Sequence, residues 1–190
     1  MRRGLLHDRR GATLIEFAIL LPVLMLLLMG LIDISYQAYV QAVVEGAIQK
    51  AARDSTIESA NITAIDDRVA GAVRRVAGNA TVTPSRLFYS SFTLIKPEDF
   101  TDTNGNGKRD PGECFTDIND NGRWDLDPGR AGQGGASDVT VYKVQVTYTR
   151  PFPVAGLIGW SNQVVLSAAT RFKNQPYNSQ LIPTPKTLCT

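Results

Sequence analysis

Histidine is almost missing from this chain of 190 residues: His7 is the only one, and nothing from Ala12 onward carries an imidazole. That excludes Ser-His-Asp triads, His-ligated zinc sites and histidine general bases from the main body. Cysteine is scarce as well, since Cys114 and Cys189 alone cannot build a Cys₄ metal site. An excess of one charge is also lacking, with 20 Lys and Arg against 18 Asp and Glu, a net of +2. Residues 33–190 carry sixteen of each sign, and a neutral body has no basic face to displace counterions from nucleic acid. No nucleic-acid partner is expected. With no paired nucleophile motif either, the chain reads as a structural or binding protein and not as an enzyme.

What the sequence does have is a long apolar run. Residues 12–32 contain one charge, Glu16, and residues 17–32 contain none. As a helix this run spans about 30 Å, enough to cross a bilayer core. Arg2, Arg3, Arg9 and Arg10 precede it, so the positive-inside rule keeps the N-terminus cytoplasmic and exports the chain beyond Asp33. The exit, Leu31-Ile32-Asp33-Ile34-Ser35-Tyr36, is a poor signal-peptidase site, and the segment is expected to be retained. Beyond it, Tyr36, Val40, Val43, Val44, Ala47, Ile48 and Ala51 continue a helical apolar stripe opposite Gln37, Gln41, Glu45, Gln49 and Lys50. The spacing predicts one helix from about residue 12 to 52, kinked at Pro22. Glu16 has two readings. It lies one turn into the membrane run and can snorkel to the headgroups, or it is a functional intramembrane acid.

The stretch Arg9-Arg10-Gly11-Ala12-Thr13-Leu14-Ile15-Glu16-Phe17 resembles a type IV prepilin junction. The wider segment 11–53, above all Gly-Ala-Thr-Leu-Ile-Glu-Phe-Ala-Ile-Leu-Leu-Pro, resembles the TadE/TadG group of tight-adherence (Flp) pilus pseudopilins. So does the C-terminal run Arg171-Phe172-Lys173-Asn174-Gln175-Pro176-Tyr177. The resemblance implies cleavage by prepilin peptidase between Gly11 and Ala12, which makes Glu16 the fifth mature residue. Glu16, with Phe17 beside it, would then be the subunit-pairing position. The new Ala12 amine can pair with Glu16 of a neighbour, which favours one axial register because other registers leave the acid unpaired. The implied partners are the peptidase, other pilins or pseudopilins, and the inner-membrane pilus platform. The implied location is a single-pass inner-membrane anchor with a periplasmic C-terminal domain and the extracellular pilus as a further destination. The competing reading is a permanently anchored calcium-binding periplasmic scaffold or adhesion module that is neither cut nor polymerised.

The expected layout is a leader (1–11), a transmembrane half-helix (12–32), an exported amphipathic half (33–55) and an exported α+β domain (56–190) with an acidic calcium-loop insertion at 98–130. A second helix is marked by Ile62, Ile65, Val69, Val73 and Val76, with Asn61 or Thr63 as cap and Gly78-Asn79 at the end. Strand signals cover 86–95, 138–150 (Tyr142, Val144, Val146 and Tyr148 on one face) and 164–172, the last two pairing antiparallel. Three or four strands beside two helices give an α+β, pilin-like module with a long N-terminal helix on a small antiparallel sheet. The connection 151–160 is unusually apolar, and either folds back on the core or forms an exposed patch against membrane or partner.

Residues 96–137 show no strand or helix pattern, too long for an ordinary connection. Within 98–127 nine acids face three bases. A fifteen-residue repeat runs through the segment. Its first copy meets the EF-hand loop template with Asp102, Asn104, Asn106, Gly107, the Lys108 carbonyl, Asp110 and, at the twelfth place, Glu113. The second copy offers Asp117, Asn119, Asn121, Gly122, the Arg123 carbonyl and Asp125, but Pro128 takes the twelfth place, with Asp127 the expected substitute. Hard oxygen ligands in a roomy site select calcium, one or two ions acting as a structural staple. Export makes a Cys114–Cys189 disulfide expected, tying the tail to this segment.

Overall fold

Why one helix can serve two environments is visible in its side chains. In the computed structural model, which describes residues 12–152, 156, 159–180 and 182–189, helix α1 (Ala12–Ser55) is unbroken and contains Pro22. Along its first half the apolar side chains stand exposed, Phe17 at 59% and Leu20 at 65%. Along its second half Val40, Val44, Ile48 and Ala51 are buried, at the three- and four-residue spacing of one helix face. Helix α2 (Ile62–Val76) lies against that half and buries Ile65, Val69 and Val73. Asn61 caps it by accepting the Ala64 amide at 3.0 Å.

Six strands follow among the described residues: β1 (Thr81–Tyr89), β2 (Cys114–Asp117), β3 (Arg130–Ala131), β4 (Val139–Thr149), β5 (Gln163–Lys173) and β6 (Lys186–Cys189). A four-stranded antiparallel sheet has the order β3-β1-β4-β5, with Val144 opposite both Pro84 and Ala168. Tyr142, Val144, Val146 and Tyr148 of β4 join Val164, Leu166 and Ala168 of β5 beneath the two helices, and this forms the main core. The alternation predicted for 138–150 and 164–172 is the pattern of this half-buried sheet.

Two expectations are corrected. The strand predicted over 86–95 runs instead over Thr81–Tyr89, and Phe92–Leu94 form a 3₁₀ turn. Pro84 obscured the early start. It is tolerated because β3 pairs only with Leu87 and Phe88, leaving the first half of β1 an open edge that needs no donor from residue 84. The segment 96–137 is not free of strand structure, since β2 and β3 lie within it. Strand β2 pairs with β6 in a separate two-stranded ribbon, Cys114 opposite Cys189 and Asp117 opposite Lys186.

The end of α1 is tied to the sheet by polar contacts. The Gln133 carboxamide donates to the Ser55 carbonyl at 2.9 Å, and the Gln175 amide to the Thr56 carbonyl at 3.0 Å. Buried Asn174, from the C-terminal run, donates to the carbonyls of Gln133 and Gly135. Between α2 and the sheet, Arg86 makes a two-pronged ion pair with Asp66 at 2.6 and 2.7 Å and lies over the Tyr142 ring, whose hydroxyl donates to the same carboxylate.

Candidate functional site

The acidic segment folds as two copies of one small structure. In the first, Asp102 accepts the amides of Gly105 and Gly107 at 2.7 Å each, and Asn106 accepts the Lys108 amide at 2.7 Å. In the second, Asp117 accepts the amides of Asn121 and Gly122, and Asn121 accepts the Arg123 amide at 2.8 Å. The Asn104 and Asn106 carboxamides both donate to Asp110 Oδ2, as Asn119 and Asn121 donate to Asp125 Oδ2. Even the left-handed backbone positions coincide. Gly107 (φ 73°) matches Gly122 (φ 76°) at the sixth place, and Gly105 (φ 72°) matches Asp120 (φ 61°) at the fourth.

Glu113 closes the first loop from its twelfth place. One carboxylate oxygen accepts the Thr103 amide (2.8 Å) and hydroxyl, and the other accepts the Asp110 amide at 2.9 Å. In the second loop the same two bonds are made by a residue that the loop template does not pick out. Glu98 Oε1 accepts the Ile118 amide at 2.8 Å, and its Oε2 accepts the Asp125 amide at 3.0 Å. Asp127, expected to substitute for the acid that Pro128 replaces, turns away to the Tyr89 hydroxyl and the Gly129 amide.

Chain pairing explains the exchange. Residues 99–101 run antiparallel to Cys114–Asp117, with Thr101 donating to the Cys114 carbonyl, Thr116 to the Asp99 carbonyl, and Phe100 bridging Phe115. Glu98 therefore reaches the start of the second loop just as Glu113 reaches the start of the first. The signal was legible. The repeat begins with Glu-x-Phe-Thr-Asp at residues 98–102 and again at 113–117, and starting the repeat at Thr101 cuts Glu98 off.

The two closing acids differ electrostatically. Glu98 is 1% exposed, and burial pushes its carboxyl above the ordinary range against the pull of the two amides. The Asp110 amide, then the Thr103 hydroxyl and amide, hold Glu113 below it. Each loop assembles three carboxylates and two asparagines, but the asparagine N–H groups face the central carboxylate. Among the described residues no three His, Cys, Asp or Glu side chains converge in metal-holding geometry. A half-turn of the two carboxamides would direct their oxygens to the point that Asp110 Oδ2, or Asp125 Oδ2, already faces, in exchange for the backbone amides those oxygens now accept, from Asn106 and Lys108 in the first loop and from Asn121 and Arg123 in the second. The donor set is then all oxygen, which fits a hard cation of calcium's size.

A small core, one disulfide and an ion pair support the two loops. Phe115 is buried, Trp124 stands edge-on to Phe100 at 5.8 Å, and its indole donates to the Glu98 carbonyl at 2.8 Å. Cys114 and Cys189 form a disulfide across β2 and β6, and Lys186 pairs with Asp120 at 2.7 Å.

The second site of interest is the start of α1. Gly11, on the amino side of the expected cleavage point, lies outside the described residues, and Ala12 opens the helix. Glu16 and Phe17 stand exposed on it. α1 contains one run long and apolar enough to cross a membrane, none of it buried by the rest of the chain. No curated protein and no solved structure matches the chain. Residues 11–53, which span this helix almost from end to end, match the family model described as TadE-like protein.

Proposed function

We propose that the chain is a minor pilin, or pseudopilin, of a tight-adherence pilus system, anchored by the first half of α1 and exported from Asp33 onward. The observation that carries this reading is the coincidence of the TadE-like match with a helix that is bare over its membrane-length half and built into the domain core over the rest. A pilin subunit needs such a helix, because its exposed half must pack first among lipids and then among neighbouring helices without unfolding the head. Prepilin peptidase cuts between Gly11 and Ala12. Glu16 then pairs with the Ala12 amine of an adjoining subunit in the apolar filament core, where an unpaired carboxylate is expensive. Calcium is a structural part of the head. It is held in the first loop by Asp102, Asn104, Asn106, the Lys108 carbonyl, Asp110 and Glu113. In the second it is held by Asp117, Asn119, Asn121, the Arg123 carbonyl, Asp125 and Glu98.

The test is the intact mass and N-terminal sequence of the protein from membranes and from sheared surface fibres, in wild type and Glu16→Ala. A chain starting at Ala12 in the fibres, with Glu16→Ala kept in the membrane and out of the fibres, is the expected result. An uncut chain found only in membranes, with normal piliation in Glu16→Ala, overturns the filament role and leaves an anchored calcium module.

A further inference from the structure

The turn joining β4 to β5 lies at the end of the sheet where α1 leaves the core. β4 runs opposite in direction to α1. Its start is tied near Ser55 and Thr56 through Gln133, Asn174 and Gln175, whereas its end meets the helix at Tyr36 and Asp33. There Tyr148 stands edge-on to Tyr36 at 5.8 Å, and Arg150 forms an ion pair with Asp33, both side chains largely buried. Asp33 is the first charge after the uncharged run 17–32. The Arg150–Asp33 pair therefore holds the base of the turn at the level where the membrane-length half of α1 ends. Arg150 also donates its amide to the Asn162 carbonyl at 2.9 Å, so the strand pairing closes at that level, with Phe152 and Trp160 the described aromatic residues just beyond it.

The composition of this connection is unsuited to water. No charged residue occurs from Pro151 to Thr170, and the turn carries Phe152 and Trp160. Trp160 is 66% exposed, so it does not fold back on the core. Tryptophan at the boundary of an apolar run belongs to the headgroup layer, where its ring is dehydrated and its N–H still finds water. The arginine at the base is already neutralised by Asp33, so contact here comes from aromatic insertion and not from attraction to anionic lipid.

We propose that Trp160 and Phe152, at the two ends of the β4–β5 connection, rest in the headgroup layer of the membrane that α1 crosses. They form a second attachment that fixes how the exported domain is rotated about its own anchor. This rests on the anchoring of α1 proposed above and is separable from it. Leaving the membrane then requires the turn to come off the lipid as well as the helix to slide out.

The experiment uses the full chain in phosphatidylcholine vesicles, with and without bromine on the shallow acyl positions. The emission of Trp160 is taken as the difference between wild type and Trp160→Phe, Trp124 being the one other tryptophan. The expected result is a blue-shifted Trp160 component, most of which is lost in brominated lipid, equally in neutral and anionic vesicles, while the Trp124 component is unchanged. A chain that floats with the vesicles but whose Trp160 emission ignores bromine overturns the proposal alone. Protection of Trp160 that appears only as protein density rises also overturns it, and assigns the turn to a second copy. A chain that fails to float overturns the anchor, and the proposal with it.

Discussion

Replacing Glu98 by Gln separates the second loop from the first with almost no change in shape. The second loop would coordinate with Asp117, Asp125 and Glu98, a formal ligand charge of −3, and the substitution lowers it to −2. The lost attraction between one carboxylate charge and a divalent ion about 4 Å away is about 2 kcal/mol even at the dielectric constant of water. That corresponds to about thirtyfold in Kd. Without metal the effect is smaller and of mixed sign. One charge-assisted amide bond is lost, from Ile118 or Asp125, but a carboxylate held at 1% exposure no longer needs to be ionised. Calcium titration by calorimetry on the full chain should show two sites of roughly 10⁻⁴–10⁻³ M in wild type. In Glu98→Gln one site should remain near that value and the other move beyond range. Asp127→Asn, whose carboxylate is spent on Tyr89 and Gly129, should keep both. Loss of a site in Asp127→Asn with both retained in Glu98→Gln would refute the exchange of closing acids. Absence of calcium heat in all three would refute the metal sites themselves.

Other perturbations test the support of the fold. Cys114 and Cys189 are separated by 75 residues that include β4 and β5, so the chain-entropy relation gives about 4.5 kcal/mol for the link. Cys189→Ser should show a loss of that order by denaturant unfolding of the full chain in micelles, and a loss under 1 kcal/mol would mean that the β2–β6 ribbon opens on its own before the main sheet. Tyr142 and Tyr148 have hydroxyls pushed above their ordinary value of 10.0, first by burial, with the bond to Asp66 adding to the shift for Tyr142. The unfolded chain therefore loses these protons at lower pH than the folded one, and stability should fall as pH rises above about 10. Tyr142→Phe should flatten that fall, read by tyrosinate absorbance alongside circular dichroism. Asp33→Asn leaves Arg150 largely buried without its partner, which should cost on the order of 3 kcal/mol in thermal unfolding, and Asp33→Asn with Arg150→Gln should recover much of it.

What the sequence disclosed depended on whether the controlling interaction was periodic. Helices α1 and α2, and strands β4 and β5, each bury one face of a regular element. Their bounds therefore followed from spacing to within a few residues, as Tyr142, Val144, Val146 and Tyr148 illustrate. Strand β1 was displaced because its pairing with β4 overrides the discouragement of Pro84, a tertiary effect that no local window carries. Strand β6 is four residues in a polar tail, held by the register Cys114 opposite Cys189 and by Lys186 on Asp120, so only the pairing of distant segments could reveal it. Glu98 was a different kind of miss. Its signal lay in the sequence as the repeated Glu-x-Phe-Thr-Asp, but a template with its acid at the twelfth place looks downstream of each loop, and this acid stands nineteen residues before the aspartate that opens its own.

The head has two kinds of fastening that suit the export proposed above. The helices and main sheet bury an ordinary apolar core, while the segment 98–130 has Phe115 buried, Phe100, Ile118 and Trp124 half-buried, and nine acids to keep together. A core of that size does not offset the ordering of so long a segment, so on the calcium reading proposed above its fold should depend on the disulfide and on neutralisation of its charge. Both are conditions of the outside: disulfides persist in oxidising compartments, and loops of this affinity class fill only at the calcium levels found there. At free calcium tenfold above Kd each filled loop adds about 1.4 kcal/mol to the stability of the segment. Proteolysis through local opening should then slow about tenfold for each loop. Chelation of the oxidised protein should therefore accelerate cleavage within residues 98–130 and leave the β4–β5 hairpin intact, as mapped by mass spectrometry of the fragments. Glu98→Gln should lose the contribution of one loop and no more. Equal cleavage with and without chelator would mean that the paired amides and the disulfide suffice alone, and that the acidic repeat serves something other than calcium.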